Sequence, residues 1–307
     1  MSVCAVKKGE IRKNKLMTIQ KSRFRQVSSL LIFMLAFFVI NCSEESPQVG
    51  FSDKQSISSE ASSDSYFEDA EDISFTVSLA SNTDVINHGR TAALDDARLA
   101  CATLSLSVGA TTTNGTITVD FGTGCAFNGV TRKGKILITY SGERLQLGSS
   151  ISITFENYSV NDVKIEGVRT VTIYAITTSY ITHEITLVNG KITWPDGSTA
   201  TRNSMHLRKW DWNGTPLLRS DDSISLLADG TAEGTNRNGK SYTMQITKDI
   251  VFRAECLATK NYLPVSGEKI LNVDGKVITV NYGSGSCDGT ILVTINGESR
   301  EVTVVRE

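Results

Sequence analysis

From Cys101 onward, apolar and polar residues alternate with a period of two. Thr116-Ile117-Thr118-Val119-Asp120-Phe121, Lys135-Ile136-Leu137-Ile138-Thr139-Tyr140 and Ser150-Ile151-Ser152-Ile153-Thr154-Phe155 all follow it. Thr, Ile, Val and Tyr suit a half-buried pleated surface, so these runs predict strands. Asn-Gly at 114, 128, 189, 213, 238 and 296, and Asp-Gly at 196, 229, 274 and 288, supply the positive φ of tight hairpin turns. Together they predict an antiparallel all-β body. The pattern before Cys101 is different. Ala92 to Ala100 has helical apolar spacing, and Ser65 to Asp72 reads as one short helix. Leu30 to Ile40 is eleven apolar residues in a row.

That run is too short for a membrane-spanning helix, which needs about 20 residues. Lys21, Arg23 and Arg25 precede it, and Asn41-Cys42-Ser43-Glu44-Glu45 follows. A basic start, a short apolar run and a Cys boundary describe an export signal over residues 1–41, with Met17 as the expected translation start. Val39-Ile40-Asn41-Cys42 resembles a bacterial lipobox, which implies cleavage before Cys42 and lipidation of its thiol. Asn41 departs from the usual small residue and is similar to lipoproteins of Bacteroidota. The acidic residues after Cys42 resemble the signal that sends such lipoproteins to the outer face of the outer membrane. Acyl chains on Cys42 add about 0.8 kcal/mol of membrane affinity per buried CH₂.

Charge sharpens this division. The 307 residues sum to −2, with 31 basic and 33 acidic side chains. Residues 1–41 carry +7, residues 42–75 carry −8, and residues 76–307 carry −1. The Ser- and acid-rich stretch 42–75 has little apolar surface to offset the entropy of ordering, so it reads as a flexible tether. The near-neutral body over 76–307 argues against a nucleic-acid partner.

The body contains an internal repeat. Asn114 to Cys125 matches Asp274 to Cys287, and Gly134 to Tyr140 matches Gly289 to Ile295. Each unit is preceded by one Cys, Cys101 and Cys256. The order Cys, strand, turn, strand, Gly-x-Gly, Cys, strand occurs twice, which points to a duplication with halves near 101–200 and 201–307. Matched positions suggest disulfides Cys101–Cys125 and Cys256–Cys287. Export places them in a compartment that permits disulfides. No Cys-x-x-Cys occurs, which disfavours zinc.

The segments around Arg98-Leu99-Ala100-Cys101, Ile117 to Cys125, Thr131 to Ile136, Glu166 to Thr172, Thr193 to Gly197 and Gly234 to Gly239 resemble a family of β-rich lipoproteins of Bacteroidota. The resemblance covers most of the body. It implies a surface or periplasmic lipoprotein and brings no catalytic residues.

Motifs for chemistry fail one by one. His183-Glu184 lacks the second His of a zinc site, because position 187 is Leu. Ile181, His183, Ile185 and Leu187 share one strand face, which makes His183 a satisfied, partly buried residue. No Gly-x-Ser-x-Gly elbow occurs, and Gly283-Ser284-Gly285-Ser286 lacks the Lys and the helix of a phosphate loop. The carboxylate pairs Asp95-Asp96 and Asp221-Asp222 read as solvated charge. In His206-Leu207-Arg208-Lys209-Trp210-Asp211-Trp212, the residues His206, Arg208, Trp210 and Trp212 fall on one strand face. Two indoles there could stack on sugar rings, although aromatic pairs more often pack across strands.

The sequence therefore predicts a lipoprotein signal peptide, an acidic flexible tether and an antiparallel β-sandwich-like body with an internal duplication. No metal or cofactor is expected. The expected partners are the membrane, through Cys42, and a glycan or envelope protein. The expected role is non-catalytic binding, adhesion or envelope support. The alternative is a polysaccharide hydrolase using paired carboxylates.

Overall fold

The computed structural model describes residues 51–79, 96–143, 145–215, 219–259 and 263–303. The signal peptide, Met17, Cys42 and residues 92–95 of the Ala92–Ala100 segment lie outside them, and the rest of that segment holds a single helical turn, Ala97–Leu99. Every alternating run becomes a strand. These are β1 (Thr103–Leu106), β2 (Asn114–Asp120), β3 (Cys125–Phe127), β4 (Val130–Ser141) and β5 (Ser150–Val160). They continue as β6 (Val163–Ile176), β7 (Tyr180–Thr193), β8 (Thr199–Asp211), β9 (Ser223–Leu226) and β10 (Thr231–Thr235). The last five are β11 (Ser241–Arg253), β12 (Ser266–Val273), β13 (Lys276–Ser284), β14 (Thr290–Ile295) and β15 (Glu298–Thr303).

The protein is all-β and antiparallel in its body. Instead of two facing sheets, one hydrogen-bonded sheet holds all fifteen strands, in the order β1-β2-β4-β5-β6-β7-β8-β10-β11-β12-β13-β14-β15. β3 pairs with β4, and β9 lies between the ends of β8 and β11. Two apolar clusters sit on the sheet. One runs from Phe67 to Ala200, and the second draws on residues from Ala232 to Val293.

Residues 51–75 are not a flexible tether. From Phe51 they form a 29-residue helix, α1 (Phe51–Leu79), which includes the short helix expected at Ser65 to Asp72. No α1 residue whose burial is described is exposed. Phe67, Ala70, Ile73 and Val77 lie in the first apolar cluster, and Ile57 packs on the second. The helix contacts β4, β5, β6 and β8 and reaches Lys269 of β12. The sheet therefore curls around it. Facing bulges in β6 and β7 help it bend. Gly167 has φ 132°, and a Cβ there would lie 2.8 Å from the Gly190 Cα.

The two matched segments pack alike. Ile117, Val119 and Phe121 of the first unit point inward, as do Ile278 and Val280 of the second. Both disulfides form as expected, Cys101–Cys125 and Cys256–Cys287. Most Asn-Gly and Asp-Gly pairs sit in turns. Asn128-Gly129, Asp274-Gly275 and Asn296-Gly297 have positive φ at both residues, the geometry of a two-residue hairpin loop. Two pairs do not make turns. Asn114-Gly115 begins β2, and Asn189-Gly190 forms the β7 bulge, where pairing to β8 shifts register.

The two rims of the sheet differ. One carries the β1–β2, β4–β5 and β6–β7 tips, where Val108, Leu145, Leu147, Tyr174 and Ile176 are exposed. The opposite rim carries the β5–β6, β7–β8, β10–β11 and β12–β13 tips. There Lys133–Asp162, Arg237–Asp196 and Lys240–Asp274 form surface ion pairs. Ser59, near the start of α1, accepts the Arg237 backbone N–H at this charged rim. Ser78, near the end of α1, lies beside Ser141, Gly142 and Leu145 at the apolar rim. The helix thus crosses from the charged rim to the apolar rim.

Candidate functional site

The inner face of the sheet carries cations at positions where alternation would place apolar side chains. Arg169 stands in β6 in register with the buried Ile165, Val171 and Ile173, and Arg202 stands in β8 between the buried Ala200 and Ser204. Arg132 of β4, Arg208 of β8, Lys269 of β12 and Arg98, in a single helical turn before β1, complete the set.

Each meets an acid from α1. Arg98 pairs with Asp72 at 2.6 Å and is held on its other side by Asp96. Arg132 grips Asp69 at 2.7 Å. Arg169 and Arg208 share Glu71. Glu60 accepts from Arg202 at 2.9 Å and from Lys269 at 2.6 Å. Asp64 lies between Arg202 and Arg169, at 3.5 and 3.9 Å. Glu68 stands 4.0 Å from Arg169. Six helix carboxylates thus face six sheet cations, and ions removed from water persist only when so compensated.

The electrostatics follow this pairing. Burial alone would raise Glu71, but Arg169 and Arg208 hold it down at about 2. Burial wins at Glu68, which is pushed up to about 8 with Asp64 adding repulsion. Burial also raises Asp72, to about 7, against the pull of Arg98. Burial keeps His183 and His206 neutral by lowering both to about 4, with Arg208 adding to the effect.

The residues singled out in β8 follow this inner face only in part. His206, Arg208 and Trp210 stand opposite Ile185, His183 and Ile181 of β7, so they point inward together. His206 is buried, and Arg208 is committed to Glu71. The Trp210 indole N–H donates to Asp222 at 3.0 Å. Trp212 lies past the end of β8 and donates to the Thr178 carbonyl at 2.6 Å. The four do not form an open sugar platform. The strand placement of His183 is correct, since it is buried with Ile181, Ile185 and Leu187, but it is not satisfied: its Nδ1 has no hydrogen-bond partner. Among the described residues, the one trio with metal-ligand spacing is Glu255, Cys256 and Cys287, and its two sulfurs are joined in a disulfide.

A cavity of about 90 Å³ opens at the apolar rim, where α1 ends. Phe75, Ile117, Tyr140, Ile151, Val171 and Ile173 supply apolar walls, and Leu145 stands at its mouth. Ser78 and His183 also line it.

Sequence reasoning found only Ser65 to Asp72 of the acidic helix and missed its full length and its cations. One signal was present: Arg169 and Arg202 occupy inward positions of their strands, and a buried cation requires an anion. No protein-family model, curated protein or solved structure matches the chain.

Proposed function

We propose that this chain is a lipoprotein of the outer membrane, anchored through Cys42 and facing the cell exterior, that works by binding an envelope or extracellular partner. One observation carries the non-catalytic part. The six paired helix acids are shut beneath the sheet, each within 4.0 Å of a cation. None faces an open cleft as an acid–base pair acting on a polymer would. The anchor reading rests on the Leu30–Ile40 run and the Val39-Ile40-Asn41-Cys42 boundary.

The helix gives the anchor a direction. Nine residues from Cys42 to Phe51 span at most about 30 Å, less than the length of a 14-residue strand such as β6, about 45 Å. Since α1 starts at the charged rim, that rim would stand nearer the membrane and the apolar rim would point outward.

The test uses cells expressing the full chain. Metabolic labelling with a radioactive fatty acid should mark it, and Cys42→Ser should abolish the label and release the protein from the membrane fraction. External protease should cleave it in intact cells. Persistent membrane attachment of unlabelled Cys42→Ser protein would contradict the anchor. Polysaccharide hydrolysis that disappears in Glu68→Gln would contradict the non-catalytic reading.

A further inference from the structure

The cavity at the apolar rim has the walls of a ligand site and polar groups with nothing to bond. His183 is 7% exposed, and its Nδ1 has no hydrogen-bond partner. Ser78 Oγ is likewise buried and unpartnered. The Phe75 ring meets the His183 imidazole edge-on at 5.6 Å. Leu145, at the mouth, is held at φ 56°, a conformation uncommon for a branched side chain and found where structure is constrained for function. Leu147, Val108 and Tyr174 are exposed on the same rim.

We propose that this cavity binds the hydrocarbon chain of a small uncharged amphiphile, an alcohol or a carbonyl compound, whose polar group hydrogen-bonds to Ser78 and His183. Aliphatic and aromatic walls favour a hydrocarbon chain. Two unpartnered polar atoms require one hydrogen-bonding group beside it. A charged headgroup is disfavoured, because Arg208, the cation near His183, is already committed to Glu71. This deepens the binding reading by naming a ligand class and makes no use of the anchor, so failure of acyl labelling at Cys42 leaves it standing.

The test is titration of the full chain with 1-hexanol, hexanoate and N-acetylleucinamide, followed by the His183 ring resonances. Saturable 1-hexanol binding is expected, at least tenfold tighter than hexanoate and accompanied by a shift of those resonances. Ser78→Ala should weaken it about three- to tenfold. Val171→Phe, which fills the cavity, should abolish it. Should Val171→Phe fail to fold, the Ser78→Ala titration and the His183 shift decide. Absence of saturable binding, equal affinity for hexanoate, or indifference to Ser78→Ala would overturn the proposal. Preference for N-acetylleucinamide would also overturn it, and would assign the cavity to a peptide side chain.

Discussion

The β1–β2, β4–β5 and β6–β7 tips at one rim differ in surface chemistry from the tips at the opposite rim, although the rest of the first rim carries an ion pair of its own, Arg253–Glu255. At the opposite rim, Asp, Lys and Arg make solvent-exposed ion pairs. At the other, the β1–β2 and β6–β7 loops hold no charged residue, and five large apolar side chains stand in water. Turn formation does not require this difference, since each rim has tips with glycine and one without, Thr177-Thr178-Ser179 at one and Asn161-Asp162 at the other. The helix does correlate with it: α1 enters at the charged rim and ends at the apolar one, beside a cavity. Scattered exposed apolar residues need no explanation, but their grouping around an opening marks an interaction surface.

The sharpest way to break the comparison is to cut the ladder that holds α1 between the rims. Arg169→Leu leaves Glu71 with only Arg208 and leaves Asp64 and Glu68 poorly compensated. It should cost about 3–5 kcal/mol in chemical denaturation, because a buried charge loses its partner. A loss below about 1 kcal/mol would show that the pairs are not buried in solution.

The disulfides separate the rims next. Cys101–Cys125 lies at the charged rim and Cys256–Cys287 at the apolar rim, closing loops of 24 and 31 residues. Each Cys→Ser substitution should cost about 3 kcal/mol. Opening Cys256–Cys287 should speed amide exchange near β12 to β14, and opening Cys101–Cys125 near β1 to β4. Exchange that spreads equally in both variants would show that the two ends unfold as one unit.

A pH series isolates the ladder. Glu68 titrates near 8 when folded against about 4.5 unfolded, so between these values the folded state holds more protons and stability falls as pH rises. Asp72, near 7, acts the same way. His183 and His206, near 4 when folded, act oppositely: their contribution is present above pH 6.5 and is lost as pH falls toward 4. From pH 7 to 8, Glu68 dominates among these groups. The melting temperature should decline there in the parent and decline less in Glu68→Gln, where only the smaller Asp72 contribution remains. Parallel curves would remove Glu68 from the account.

The smallest effects concern the rim surfaces themselves. Lys240→Ala removes an exposed pair and should change stability by less than about 0.5 kcal/mol. Leu147→Ser should be equally neutral for folding, yet it should reduce binding of a hydrophobic fluorescent dye. Equal dye binding would mean that the apolar rim is not a connected surface.

Much of the body was legible in sequence. Alternation located the strands, and the duplicated Cys positions located both disulfides, because each depends on residues close together in the chain. The inward face of β7 was legible for the same reason. The helix was not. Its buried stripe includes Glu60, Ser63, Glu71 and Ser74 beside Phe67, Ala70 and Val77, so no apolar period marks it. Acidic residues among serines look like a solvated chain unless the cations are known. Those cations come from β4, β6, β8 and β12, as far as 209 residues away. The Trp210 and Trp212 platform failed on a related point. Period two gives the face of a strand, but it does not show that the face is closed by a helix or that β8 ends at Asp211.

The central claim is that residues 51–79 are an enclosed structural helix and not a tether. Hydrogen–deuterium exchange on the full chain tests it most directly. Amides from Ser59 to Ser78 should be protected for as long as those of β5 to β8, and Arg169→Leu should release them first. Complete exchange of that segment within seconds, with the strands still protected, would contradict the account.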